Sequence, residues 1–181
     1  MRAFFALELP DLLRNDLALF AKKMQKELPG RYLDPATYHV TLAFLGNLNV
    51  SDTPLAKETL YEALNASCYE PIHLIPTNLG TFKGSKRLTL RLAFEQTSAL
   101  MELAQNLRSS LVDHGFSYDT KPFFPHITLA RNIDLTNSSI PSPILPPPGR
   151  AQYLTLFESH LTDKGAIYEP LERECLILPT A

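Results

Sequence analysis

The chain has 181 residues, 45% of them hydrophobic and 20% charged, with a formal charge of −2. That length suffices for a substantial core, in one compact domain or in two small lobes sharing one. The near-neutral balance excludes a long basic groove, so a nucleic-acid ligand would have to be held by a local cluster of cations. Two cysteines, Cys68 and Cys175, lack metal-ligand or redox spacing and fit a reducing cytosol. The apolar start, Met1 to Pro10 with Glu8 interrupting, is too short for a signal peptide or a membrane span. The chain is therefore expected to be soluble and cytoplasmic, free of the membrane, and monomeric.

In chain order, residues 2 to 9 form an aromatic and apolar first strand that ends at Pro10. From Asp11, the apolar residues Leu12, Leu13, Leu17, Phe20, Met24 and Leu28 recur at helical spacing until Pro29-Gly30, which predicts an amphipathic helix with its lysines exposed. Arg31 to Thr37 is a loop, and Tyr38 to Leu45 is a strand closed by Gly46-Asn47. Ser51-Asp52-Thr53-Pro54 starts a second helix that runs to residue 66. Ile72 to Leu79 and Arg87 to Phe94 read as paired strands joined by the glycine-bearing segment 80–86. Residues 97 to 114, with Leu100, Leu103, Ala104, Leu107, Leu111 and Val112 at helical spacing, form a third helix capped at His114-Gly115. An aromatic loop, Phe116 to Pro125, leads to a strand at Phe124 to Arg131. Asn132 to Arg150 carries Pro141, Pro143 and Pro146-Pro147-Pro148 and reads as a long surface excursion. Ala151 to Leu161 and Ile167 to Leu178 are the last strands, joined by the turn Thr162-Asp163-Lys164-Gly165. The order of elements is that of an α+β fold.

One pentapeptide occurs twice, as His39-Val40-Thr41-Leu42-Ala43 and again, nearly half the chain later, as His126-Ile127-Thr128-Leu129-Ala130. On a strand each copy points its histidine and threonine to one face and its branched apolar residues to the other. A lone His-x-Thr is ordinarily structural, with its imidazole hydrogen-bonded to backbone; the repetition argues for more. A metal site would need further ligands, such as His73, His160 or a distant carboxylate, because zinc takes three or four. Acid–base chemistry at a phosphate needs only the pair. One neutral imidazole accepts a proton, one charged imidazole donates one, and Thr41 and Thr128 are placed to hydrogen-bond the phosphoryl oxygens. Arg131 suits a phosphate, but it lies five residues after His126, an odd offset, so a strand end or bulge must turn it inward. Its counterpart in the first copy is Phe44, a difference that would make the cleft asymmetric.

The chain resembles the two-histidine phosphoesterases, and within them the bacterial RNA 2′,3′-cyclic phosphodiesterases, also called 2′-5′ RNA ligases. The resemblance runs from Arg2-Ala3-Phe4-Phe5-Ala6-Leu7, through His39 to Gly46 and Lys121 to Arg131, to Ser159-x-Leu161-x-x-x-Gly165-x-x-Tyr168. It implies a bilobed α+β fold over residues 1–181, one two-lobed domain in which a pseudo-twofold pair of antiparallel sheets face each other across a cleft with helices outside. No metal or other cofactor is implied. His39 and His126 would be the acid–base pair, Thr41 and Thr128 would bind the phosphate, and Arg131 would assist. The first strand would lie beside the cleft, which makes Phe5 a candidate for stacking on the terminal base, with a buried core phenylalanine as the alternative. The implied reaction opens a 2′,3′-cyclic phosphate on RNA ends or small cyclic nucleotides to leave a 2′-phosphate, and its reverse forms a 2′-5′ linkage. Releasing O3′ is what leaves the phosphate on O2′, so His126 is assigned as base and His39 as acid. The chain departs from the family at Tyr32 and Arg91, where tryptophan is common, and at Lys121, usually arginine; these positions bear on base or strand preference. The rival reading is a catalytically idle nucleotide or RNA-binding module using the same cleft, against which two intact histidines argue.

Overall fold

The computed structural model describes residues 1–67, 70–83, 87–136, 139–163 and 165–177. Strand β1 (Arg2–Glu8) is buried at five consecutive residues, Ala3 to Leu7, because it is an inner strand covered on both faces, where an unbroken apolar run replaces alternation. It pairs antiparallel with β3 (His39–Asn47) on one side and β9 (Tyr153–Thr162) on the other, and β10 (Gly165–Cys175) completes the sheet in the order β10-β9-β1-β3. A second antiparallel sheet has the order β2-β7-β6-β5, from β2 (Arg31–Tyr32), β7 (His126–Ile133), β6 (Leu88–Phe94) and β5 (Pro76–Lys83). Strands β3 and β7 approach each other where the sheets meet. Helix α1 (Asp11–Glu27) buries Leu13, Leu17, Phe20, Ala21 and Met24 and leaves Lys22, Lys23 and Lys26 exposed. Helices α2 (Thr53–Ala66) and α3 (Ser98–Asp113) pack on each other. The fold is thus α+β, two antiparallel sheets across a cleft with helices outside, as expected. Among the described residues no helix is long and apolar enough to cross a membrane.

The two halves repeat one plan, strand–helix–motif strand, in β1-α1-β3 and β6-α3-β7. In each half the first strand pairs directly with the motif strand, and both ladders slip at the same place. Phe5 and Ala6 face Ala43 and Thr41, leaving Leu42 as the extra residue, while Leu90 and Arg91 face Ala130 and Thr128, leaving Leu129. The chains that feed the motif strands also cross over. Leu33 N–H, before β3, donates to Leu129 O in β7, and Asp119 N–H, before β7, donates to Phe44 O in β3, at 2.9 and 3.0 Å.

Several boundaries differ from the sequence reading. Ile72 to Leu79 is not one strand. Pro76 ends the first stretch, so β4 (Ile72–Leu74) pairs with β8 (Gly149–Ala151) and β5 begins afresh. Strand β5 continues through Gly80, Thr81, Phe82 and Lys83, so glycine there marks space and not a turn; Gly84, Ser85 and Lys86 lie outside the described residues, as do Cys68, Lys164 and Leu178. The loop before His39 contains β2 and a 3₁₀ turn (Pro35–Thr37). Gly30 lies close against β7, where a Cβ would crowd the Ile133 side chain and stand 3.2 Å from Arg131 O. Leu12 and Val112, counted into helix faces, are 81% and 60% exposed. The α3 cap is as predicted: Gly115 takes φ +76, with Phe116 N–H on Leu111 O and Gly115 N–H on Val112 O.

Candidate active site

Each motif histidine is anchored by the backbone that delivers it. His39 Nδ1 lies 2.8 Å from Thr37 O and His126 Nδ1 lies 2.7 Å from Phe124 O, in both cases the carbonyl two residues earlier. A carbonyl only accepts, so Nδ1 carries the proton in both rings and the neutral form leaves Nε2 as the basic atom. His39 Nε2 lies 3.0 Å from Thr41 Oγ1, whose hydroxyl donates to it in that form. Burial pushes His39 down to about 4, against the Thr37 carbonyl, and the charge of His126 pushes the same way, so the two imidazoles are near enough to interact. His126 is lowered too, first by burial and then, after the opposing Phe124 carbonyl, by the Arg91 guanidinium. Both shifts favour the neutral imidazole.

The two walls are built differently. Around His39 stand Phe4, Tyr168 and Phe157, with ring centroids 4.8, 5.1 and 6.5 Å away, and Phe44 stacks on Phe4 at 5.7 Å. Beside them a cavity of about 320 Å³ is lined by His39, Tyr38, Phe157, Tyr168, Glu8 and Arg14, among others. Phe5 is not part of this wall. It is 0% exposed and points into the core, because odd positions of β1 face the helices; Phe4 faces the cleft, and it too is covered by its aromatic neighbours. The expected base-stacking role of Phe5 is therefore corrected. Around His126 stand Phe82 at 4.8 Å and Phe124 at 5.9 Å, with the Arg91 guanidinium over both rings.

The ladder slips account for Arg131. Because Leu129 is an extra residue, Leu129 and Ala130 are both buried and the alternation resumes out of phase, so Arg131 returns to the side of His126 and Thr128. The first copy demonstrates the geometry: Phe44, also five residues after its histidine, shares the Phe4 ring with His39. The Arg131 charge falls on Tyr168, whose hydroxyl is otherwise raised by burial. The cation whose charge bears on His126 is Arg91, a difference between the two walls in addition to that of Arg131 and Phe44. Lys121 is 83% exposed and pairs with Asp119. His73 faces Arg150 across β4–β8, His160 lies between Glu158 and Glu169, and His114 pairs with Glu62. None of the three joins His39 and His126, and among the described residues no three His, Cys, Asp or Glu side chains are grouped to hold a metal ion.

Sequence reasoning marked Arg91 only as a departure from the family, and did not single out Arg108. A lone arginine inside the apolar run Leu88-Thr89-Leu90-Arg91-Leu92-Ala93-Phe94 was a usable signal, since a charge inside a strand needs a reason to be there. Arg108 gave none, because its position on α3 looks solvent-facing. It donates from Nε to Leu42 O, at the extra residue of β3, and from Nη1 to Lys121 O, tying the two motif segments together.

Comparison with known proteins finds a match to the model of the 2′-5′ RNA ligase superfamily over residues 12–150. An RNA 2′,3′-cyclic phosphodiesterase of Geobacillus stearothermophilus is 34% identical over 135 residues, covering 71% of this chain and 41% of that protein. The RNA 2′,3′-cyclic phosphodiesterase of Escherichia coli is 28% identical over 181 residues, covering 97% and 96%. The crystal structure of E. coli LigT complexed with 3′-AMP superposes with a TM-score of 0.78 at 26% identity, covering 98% of each chain.

Proposed function

The chain belongs to the 2′-5′ RNA ligase superfamily, and on that premise we propose that it hydrolyses 2′,3′-cyclic phosphate ends of RNA, or of small nucleotides, to 2′-phosphates. The observation that carries this reading is the pair of imidazoles, each held through Nδ1 by a carbonyl of the segment that enters its strand, so that Nε2 is the basic atom of both. His126 Nε2 takes a proton from water as the water oxygen bonds to phosphorus. The P–O3′ bond breaks, and His39 Nε2 gives its proton to O3′. The bound phosphate is an anion, which favours on His39 the proton that burial disfavours. Thr41, Thr128 and Arg131 donate to the phosphoryl oxygens as charge develops there. Both proton transfers are supplied by the protein, so turnover proceeds without a metal. A 5′-hydroxyl in the place of water, with the cyclic phosphate as its partner, gives the 2′-5′ linkage by the same pair.

The decisive experiment incubates protein in excess chelator with RNA ending in a 2′,3′-cyclic phosphate and identifies the product end. A 2′-phosphate is expected. Activity that is lost in chelator and restored by zinc would overturn the paired-histidine chemistry, and an even mixture of 2′- and 3′-phosphate would overturn its direction. Roles are tested with an aryl phosphodiester, whose leaving group needs no proton: His39→Ala should lose less rate on it than on RNA, while His126→Ala should lose equally on both.

A further inference from the structure

The two histidines share a backbone plan, so something beyond that plan must decide which is base and which is acid. Arg91 lies opposite Thr128 across the β6–β7 ladder. Its guanidinium carbon is 4.4 Å from the Phe124 ring centroid and 4.8 Å from that of Phe82, the same two rings that flank His126. Room for the guanidinium comes from Gly80, its partner on β5, where a Cβ would stand 3.1 Å from Nη2. Among the described residues its Nε is buried without a hydrogen-bond partner, and Nη1 donates to the neutral amide oxygen of Asn78, at 3.4 Å. Two π faces and an amide fix the cation without cancelling its charge.

We propose that Arg91 is a positioning residue for proton transfer: its fixed charge beside His126 reserves the proton-accepting role for His126 and leaves the proton-donating role to His39. The inference rests on the paired-histidine reading above. The groups facing His126 are Arg91 from β6, His39 from β3, the Phe82 ring from β5, the Phe124 ring from the segment entering β7, and Thr128 and Arg131 from β7 itself. The charge that opposes its protonation is that of Arg91. His39 is set instead by burial, by the Thr37 carbonyl and by His126. Burial favours the neutral form of both rings. An entering phosphate offsets the burial that lowers His39, whereas at His126 the Arg91 cation stays in place and still opposes the proton.

The test is an NMR titration of both imidazoles in ligand-free protein, in Arg91→Met and in Arg91→Lys. Arg91→Met should raise the His126 midpoint by roughly 0.5–1 pH unit, and the acidic limb of its kcat/KM profile should move up by a similar amount. Arg91→Lys should leave both near the wild type. An unmoved His126 in Arg91→Met, or an equal shift in Arg91→Lys, overturns the proposal, the second because it would assign the effect to packing. If Arg91→Met does not fold, inorganic phosphate added to the wild type decides: His39 should gain a proton before His126, and the reverse order overturns the proposal. An inactive wild-type protein sinks the functional reading and this inference together, whereas an unmoved His126 in an active enzyme sinks the inference alone.

Discussion

His39 and His126 sit on strands with the same extra leucine three residues on, the same carbonyl against Nδ1 and the same threonine at the next cleft-facing position. The surroundings differ in kind. The His39 wall is aromatic, with Phe4, Tyr168 and Phe157 enclosing the ring and Thr41 bonded to Nε2, while the His126 wall has two phenylalanines clamping an arginine. Backbone repetition therefore places two imidazoles in like settings, and the side chains around them are not equivalent. A twofold plan alone would bind a substrate equally well in either orientation; only the side chains can choose one.

The hardest way to break the comparison is to remove either ring. His39→Ala and His126→Ala should each lower kcat/KM by about two to four orders of magnitude, the usual contribution of a general acid or base, with the protein still folded by circular dichroism. Near-wild-type turnover in either variant would mean that the pair does not act as a pair. Phe5→Ala tests the opposite kind of residue. It should cost about 3–5 kcal/mol of stability, as removal of a buried phenylalanine does, while the folded fraction keeps its KM; a raised KM with unchanged stability would return Phe5 to the cleft.

Removing the Arg131 guanidinium should raise KM for a cyclic phosphate end about 10- to 100-fold, the size of a lost charge-assisted hydrogen bond, and should leave the His126 midpoint in place. A moved midpoint would mean that Arg131 shares the task given to Arg91. The smallest effect is on stability against pH. His39 has a folded midpoint of about 4, below its ordinary 6.5, so between these values the unfolded chain binds more protons and stability falls as pH falls. The contribution is intact above about pH 7 and should shrink by roughly 1–2 kcal/mol by pH 5. Denaturant melts at the two pH values should show that slope in wild type and a flatter one in His39→Asn; equal slopes would place the ring in solvent.

Much of the site could be read from the chain alone. The repeated His-x-Thr put an imidazole and a hydroxyl on one strand face twice, because strand alternation is local, and apolar periodicity gave the three helices for the same reason. The odd offset of Arg131 could be read as demanding a bulge, and the slip at Leu129 supplies it. What tertiary structure alone decided is everything that depends on a second strand. Phe4 and Phe5 are adjacent and chemically identical, and only pairing with β3 and β9 tells which one faces the cleft. The segment after Ile72 reads as one strand until Pro76 and the partner β8 divide it. Arg91 reads in the sequence only as a departure from the family, and it is the packed chain that gathers Gly80, Phe82 and Phe124 around it. Sequence determined what each strand could present, since side-chain direction follows from local backbone geometry. Register and burial settled what met what, since they arise only when distant segments pack.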